Sequence, residues 1–171
     1  MSTLTTGFYQ SPIDIFNADV TYDPKLDPHK LVFDYDYHDC LTIKNTGYTW
    51  EVCCAQNGHS TITGPHLPAK YRLIQFHAHW ADEANNGSEH LIEDQHYAAE
   101  IHFVHVNTNY ASMKEAVDHK DGLAVVAVLM EQSSKPNKAL QPIIDALGGI
   151  SKEVGSTAPV EGKIHMAELI P

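Results

Sequence analysis

Apolar and polar positions alternate most regularly in the middle of the chain. From Tyr71 to Trp80 the sequence reads YRLIQFHAHW, a composition and rhythm that predict an extended strand. Successive side chains of a strand point to opposite faces, so His77 and His79 share one face with Gln75, Leu73 and Tyr71. Arg72, Ile74, Phe76, Ala78 and Trp80 take the other. A second extended run, Tyr97 to Thr108, places Glu100, His102 and Val104 on a single face by the same rule. Shorter strands are predicted over Leu31–Tyr35 and Leu41–Lys44, followed by a turn at Asn45-Thr46-Gly47 and a strand from Tyr48 to Cys54 in which Tyr48, Trp50 and Val52 share a face. Leu123 to Met130 is apolar on both faces and β-branched at Val125, Val126 and Val128, the pattern of a central strand covered on both sides.

Helical periodicity is confined to the later part of the chain. Ser112-Met113-Lys114-Glu115 has capping-box spacing and opens a short helix ending near Asp118. Ala139, Leu140, Ile143, Ile144 and Leu147 form the apolar stripe of a longer helix, stopped by Gly148 and Gly149, with Pro142 placed near its first turn. The stretch from Gln10 to Pro28, with Pro12, Pro24 and Pro28, and the stretch from Ala55 to Lys70, with Gly58, Gly64, Pro65 and Pro68, read as loop and connector. Gly162 to Pro171 looks like the start of another piece.

Length and charge narrow the picture. The chain has 171 residues, enough for one domain with a real core. Eleven basic residues stand against 22 acidic ones, a formal charge of −11, which argues against nucleic acid or an anionic membrane as partner. Met1 to Phe8 lacks the basic start and apolar run of a signal peptide, and the longest apolar run, Leu123 to Met130, is too short to span a bilayer. The expectation is a soluble, cytoplasmic protein. Cys40, Cys53 and Cys54 are odd in number and fit a reducing compartment as packing residues. Asn86-Gly87-Ser88 matches a glycosylation sequon, but Asn85, Asn86 and Gly87 read more simply as a turn. Asn57-Gly58-His59 is read as a loop with a loop histidine.

The chemistry-bearing candidates are histidines. If the two central strands pair antiparallel through the intervening loop, His77, His79 and His102 converge. Three imidazoles with one open position are what catalytic zinc sites use. No cysteine joins this group, which disfavours a closed structural site. Twelve histidines in the chain make an isolated His-x-His a weak signal. The second feature is stronger: Gln75 precedes His77, and Glu100 precedes His102, each by two residues on the same face. A metal-bound imidazole needs its other nitrogen held by an acceptor, and a half-buried Glu beside a His is costly without a partner.

Five blocks also carry a resemblance: Gln10 to Ile15 (QSPIDI), Tyr71 to Trp80, Gly87 to His90 (GSEH), Tyr97 to Thr108 and Asp121 to Val125 (DGLAV). In that order they resemble the α-class carbonic anhydrases. The resemblance implies a mainly β (α+β) fold, a large, twisted, mostly antiparallel sheet with a few short surface helices, with zinc at the base of a cone-shaped cleft. It implies reversible hydration of carbon dioxide to bicarbonate and a proton. It assigns Val104 and Val125 to the apolar wall that holds carbon dioxide, where a plain core role is an equal alternative. It matches Glu89 to a carboxylate that orients a threonine hydroxyl above the metal. Tyr48 falls where much of the family has a proton-shuttling histidine, and a phenol is a poor carrier at neutral pH.

The resemblance spans only the front and middle of the family domain. The chain is therefore expected to be a single partial domain over residues 1–171, short at both ends and chiefly in the C-terminal third. Glu89 would then lack its threonine, and be either a buried carboxylate with nothing to accept from or simply exposed. Unpaired sheet edges would favour an oligomer or a covering partner. The alternative readings are a non-catalytic zinc-binding fragment that acts through protein interaction and a truncated product with no settled fold.

Overall fold

The structure is a computed structural model describing residues 11–24, 26, 31–83 and 85–171. Gln10, Pro28 and the first nine residues lie outside the described part, as does that portion of the expectations placed on them. Among the described residues, ten strands and two α-helices run in the order β1 (Asp14–Ile15), β2 (Val32–Asp34), β3 (Cys40–Asn45), β4 (Trp50–Cys54), β5 (Thr61–Thr63), β6 (Tyr71–Trp80), β7 (Leu91–Ile92), β8 (Ala99–Asn107), α1 (Met113–Ala116), β9 (Leu123–Met130), α2 (Gln141–Ile150) and β10 (Thr157–Pro159). The mainly β, mostly antiparallel architecture is as the sequence leads one to expect.

Eight strands form one sheet with β6 at its centre. One side of β6 pairs with β4 and β5, the other with β8, and every pairing is antiparallel. From β4 the sheet continues through β3 to β10, and from β5 to β2. The strand β5 lies in the stretch predicted as connector. Its run Thr61-Ile62-Thr63 is short and β-branched, and docking on Arg72 and Tyr71 supplies the pairing that local sequence could not announce. A separate parallel pair, β1 with β7, ties Asp14 and Ile15 to Leu91 and Ile92.

The alternation predicted for β6 breaks at one point. Its register on β8 runs Leu73↔His105 and then Gln75↔Val104, leaving Ile74 as an extra residue. A bulge of this kind inverts the parity of all that precedes it. Leu73 and Tyr71 therefore do not share a face with the histidines. Leu73 joins Phe76, Ala78, Ile101 and Phe103 in the core. Phe76 and Phe103 stack with ring centroids 5.1 Å apart, and neither is exposed.

This core face is covered by the last third of the chain, with Ile143 and Ile150 of α2, then Ile164, Met166 and Leu169 packed against it. The helix α2 runs through Gly148 and Gly149 instead of stopping at them. A Cβ at Gly149 would sit 2.7 Å from the Ala158 Cβ, so that glycine lets β10 approach the helix. The buried stripe of α2 accordingly extends to Ile150, while Ile144 is exposed. A second correction concerns Leu123–Met130. It pairs only with β8 among the described residues, and Val125 is 51% exposed. It is an edge strand whose apolar outer face stands open, not a strand covered on both sides. The short helix α1 begins as predicted, with the Ser112 hydroxyl accepting from the Glu115 N–H. The sheet thus has one face on the core and the other free to carry chemistry.

Candidate metal centre

The register of β6 on β8 sets His77 directly opposite His102 and His79 opposite Glu100. Residues opposite one another in an antiparallel ladder point the same way, so the three imidazoles converge on the face turned away from the core. Ring centroids lie 5.0, 5.5 and 4.6 Å apart for His77–His79, His77–His102 and His79–His102. One nitrogen from each ring lies within 4.8 Å of the others, and Nε2 of His77 and Nε2 of His79 are 3.1 Å apart. Tetrahedral zinc with Zn–N bonds of about 2.0–2.1 Å holds its nitrogens about 3.3 Å apart. The all-nitrogen donor set and the spacing of the His77 and His79 nitrogens fit that ion.

Each ring is turned by what stands behind it. His77 Nδ1 donates to Gln75 Oε1 at 2.8 Å, which leaves Nε2 with its lone pair toward the centre. His102 Nε2 donates to Glu100 Oε1 at 2.6 Å, which leaves Nδ1. His79 Nδ1 faces Glu89 Oε1 at 3.4 Å. Burial pushes the His77 ring down to about 4, helped by the neighbouring rings of His79 and His102, and burial also lowers His79. Both rings are therefore neutral near pH 7, the form a metal requires.

Glu100 is the hub of the centre and is wholly buried. Burial on its own would raise its carboxyl. The His90 backbone N–H and the His102 and His90 side chains outweigh that and hold it down at about 2. Oε2 accepts from the N–H groups of Glu89 and His90 at 2.9 and 2.8 Å, while Oε1 accepts from His90 Nδ1 at 2.6 Å as well as from His102. Four donors thus converge on one ionised group. They anchor the loop of Gly87 to His90 beside the histidine face. Gly87 is required there because a Cβ would strike the Ala98 carbonyl oxygen and lie 2.9 Å from the Trp80 Cα.

The remaining expected residues fall in different places. Val104 sits opposite Gln75 on β6 and opposite Val125 on β9, so both valines flank the histidine face, one buried and the other half exposed. Tyr48 lies in the turn before β4, not on the strand, and its side chain is 96% exposed. Glu89 does not lack partners: its carboxylate faces His79 and, at 3.9 Å, His102 Nδ1, with the side chain 39% exposed. Two residues at or beside the histidine face escaped the sequence. His90 supplies two of the four donors to Glu100. Glu51 of β4 stands opposite His77, which only the register of β4 on β6 reveals.

Imidazoles held neutral by burial make acid stability a test. His105 is wholly buried, receives the Tyr35 hydroxyl on Nε2 at 2.7 Å and donates from Nδ1 to the Ala124 carbonyl at 3.2 Å. Burial pushes it down to about 4, against smaller upward pulls from the backbone. The unfolded chain takes up protons near 6.5 and the folded one does not. Stability is therefore full above about pH 6.5 and falls from there toward pH 4, His105 alone contributing up to about 1.4 kcal/mol per pH unit. Glu100 adds its loss only below about pH 4.5. Urea midpoints of the metal-free protein should fall clearly between pH 7 and pH 5, and a flat profile would count against buried neutral rings.

A mainly β chain that gathers three imidazoles, each with an acceptor beside it, on the open face of its sheet has the donor set of a histidine metal site. Comparison with known proteins makes that reading specific. The family model for eukaryotic-type carbonic anhydrase matches residues 2–171, and the chain belongs to that family. It is 43% identical over 156 residues to carbonic anhydrase 4 of Mus musculus, covering 91% of this chain and 49% of that protein. It is 38% identical over 154 residues to carbonic anhydrase 3 of Homo sapiens, covering 90% and 58%. Against carbonic anhydrase 1 of Mus musculus the figures are 37% over 158 residues, 91% and 59%. The chain thus spans about half to three-fifths of the length of the curated relatives it matches.

Proposed function

We propose that this chain binds zinc through His77, His79 and His102 and hydrates carbon dioxide reversibly to bicarbonate and a proton. The observation that carries the reading is the 3.1 Å approach of the His77 and His79 Nε2 atoms, with a nitrogen of His102 beside them. Zinc held by these three residues would lower the pKa of a water bound to it to about 7 and would so supply a nucleophile at neutral pH.

The chain's own residues supply the rest. Gln75 and Glu100 fix which nitrogen each ring presents, so no proton need leave an imidazole before it ligates. Val104 and Val125 lie side by side next to His102 and offer an apolar surface for a small unpolar substrate. Glu89 places a carboxylate against the ring of His79, where it accepts hydrogen bonds from that ring or from solvent. Tyr48 projects into solvent from the adjacent turn. A phenol there relays protons poorly at neutral pH, so proton export passes through solvent or buffer.

The test is stopped-flow hydration of carbon dioxide by the purified chain, before and after removal of zinc with a chelator. Turnover well above the buffer background, lost on stripping and restored by one equivalent of zinc, is the expected result. Stoichiometric zinc retained through dialysis with background turnover would refute catalysis and leave a metal-binding role.

A further inference from the structure

Cys40 opens β3, Cys54 closes β4, and the register sets the two directly opposite one another. The Ala55 N–H donates to the Asp39 carbonyl at 2.9 Å, just outside the pair. A backbone bond in that position marks Cys40 and Cys54 as a non-hydrogen-bonded pair, in which Cα atoms stand about 4.5 Å apart and side chains come closest. Disulfides need Cα separations of about 4.4–6.8 Å. Both residues are free thiols with 8% exposure, and both belong to the core cluster behind the sheet. The Cys40 thiol also points at the Met166 sulfur, 3.6 Å away. Cys53 lies on the opposite face, where its thiol donates to Glu51 Oε1 at 3.5 Å, and it cannot compete. An odd number of cysteines thus resolves into one facing pair and one separate thiol.

We propose that Cys40 and Cys54 form a cross-strand disulfide that staples β3 to β4. The oxidant is a small-molecule disulfide such as oxidised glutathione. One cysteine thiolate attacks it, forming a mixed disulfide and expelling the first glutathione thiolate. The second cysteine thiolate then attacks the protein sulfur of that mixed disulfide and expels the second. Two protons leave the cysteines and end on the two glutathione thiolates. Two electrons pass from the cysteine pair to the oxidant. In the folded chain the Cys54 thiol is held well above its usual range by its hydrogen bond to Cys40 and then by burial. Exchange therefore runs fastest while the hairpin is still accessible during folding. The bridge encloses the turn that carries Tyr48 and the strand that sets Glu51 opposite His77, without touching a metal ligand.

The test uses the full chain. It is refolded from the reduced state in glutathione buffers of graded ratio, its recovery of native structure checked by circular dichroism. The products are quenched in acid, alkylated under denaturing conditions and mapped by mass spectrometry. Prolonged exchange of the native protein in the same buffers gives the same map without a refolding step. The expected product has lost two hydrogens, links the peptides carrying Cys40 and Cys54, leaves Cys53 alkylated, and melts about 5–10 °C above the reduced protein. In Cys54→Ser the melting difference between oxidising and reducing buffer should vanish. Three alkylated cysteines in a folded chain under the most oxidising buffer would overturn the proposal. So would a bridge to Cys53, or glutathione adducts in place of an internal bridge.

Discussion

Replacing His102 by alanine is expected to abolish stoichiometric zinc binding at neutral pH and, with it, any carbon dioxide hydration above background. Two ligands on one strand cannot enclose an ion. His77 and His79 approach from β6 alone, and the third direction comes only from β8. The loss should exceed that caused by removing an acceptor behind a ligand. Gln75→Ala leaves all three rings in place and frees only the orientation of His77, so its zinc affinity should drop by about 10–100-fold. Competition against a chelator of known affinity measures both variants on one scale. If His102→Ala holds zinc as tightly as Gln75→Ala, His102 is not a ligand. The ordering then points to a site built on β6 alone. The metal-free variant keeps the core of Phe76, Phe103 and Ile101 and three of the four donors to Glu100, so a urea midpoint measured beside the zinc titration separates lost ligation from lost folding.

The convergence of the three imidazoles is legible in the sequence because the decisive signals are local. Strand alternation has a period of two, so Gln75, His77 and His79 are fixed on one face by spacing alone, as are Glu100, His102 and Val104. Adjacent strands in sequence usually pair, which brings the two sets together. What escaped depends on register, a property of two strands rather than one. The extra residue at Ile74 moves Leu73 and Tyr71 to the core face, and only the pairing of β6 with β8 reveals it. The exposure of Val125 depends on what lies beyond β9, which an apolar run cannot report. Gly148 and Gly149 look like a helix stop. Yet α2 continues to Ile150, because the packing of Ile143 and Ile150 on the sheet outweighs the propensity cost of two glycines. The part played by His90 has no local signature, since its partner Glu100 lies ten residues on and across a loop.

Glu100 gives the second large effect, and two substitutions separate its structural role from its role toward the metal. Glu100→Ala leaves four donors in a fully buried place with no acceptor: the N–H groups of Glu89 and His90, His90 Nδ1 and His102 Nε2. Each unmet buried donor costs about 1–3 kcal/mol, so the metal-free protein should lose about 3 kcal/mol or more. Glu100→Gln keeps the shape and one oxygen. If that oxygen stays with the two backbone donors, the amide NH2 meets the imidazoles. His102 Nε2 must then accept, its proton moves to Nδ1, and the nitrogen that should ligate is blocked. If the amide turns over, two N–H groups of the backbone face the NH2 and stability falls instead. Glu100→Gln is therefore expected to be less destabilised than Glu100→Ala in urea, yet to bind zinc about 10–100-fold more weakly than the parent. Unchanged zinc affinity in Glu100→Gln, measured by the same chelator competition, would show that the carboxylate does not set the tautomer of His102. A loss of stability without that loss of affinity would confine Glu100 to holding the loop from Gly87 to His90.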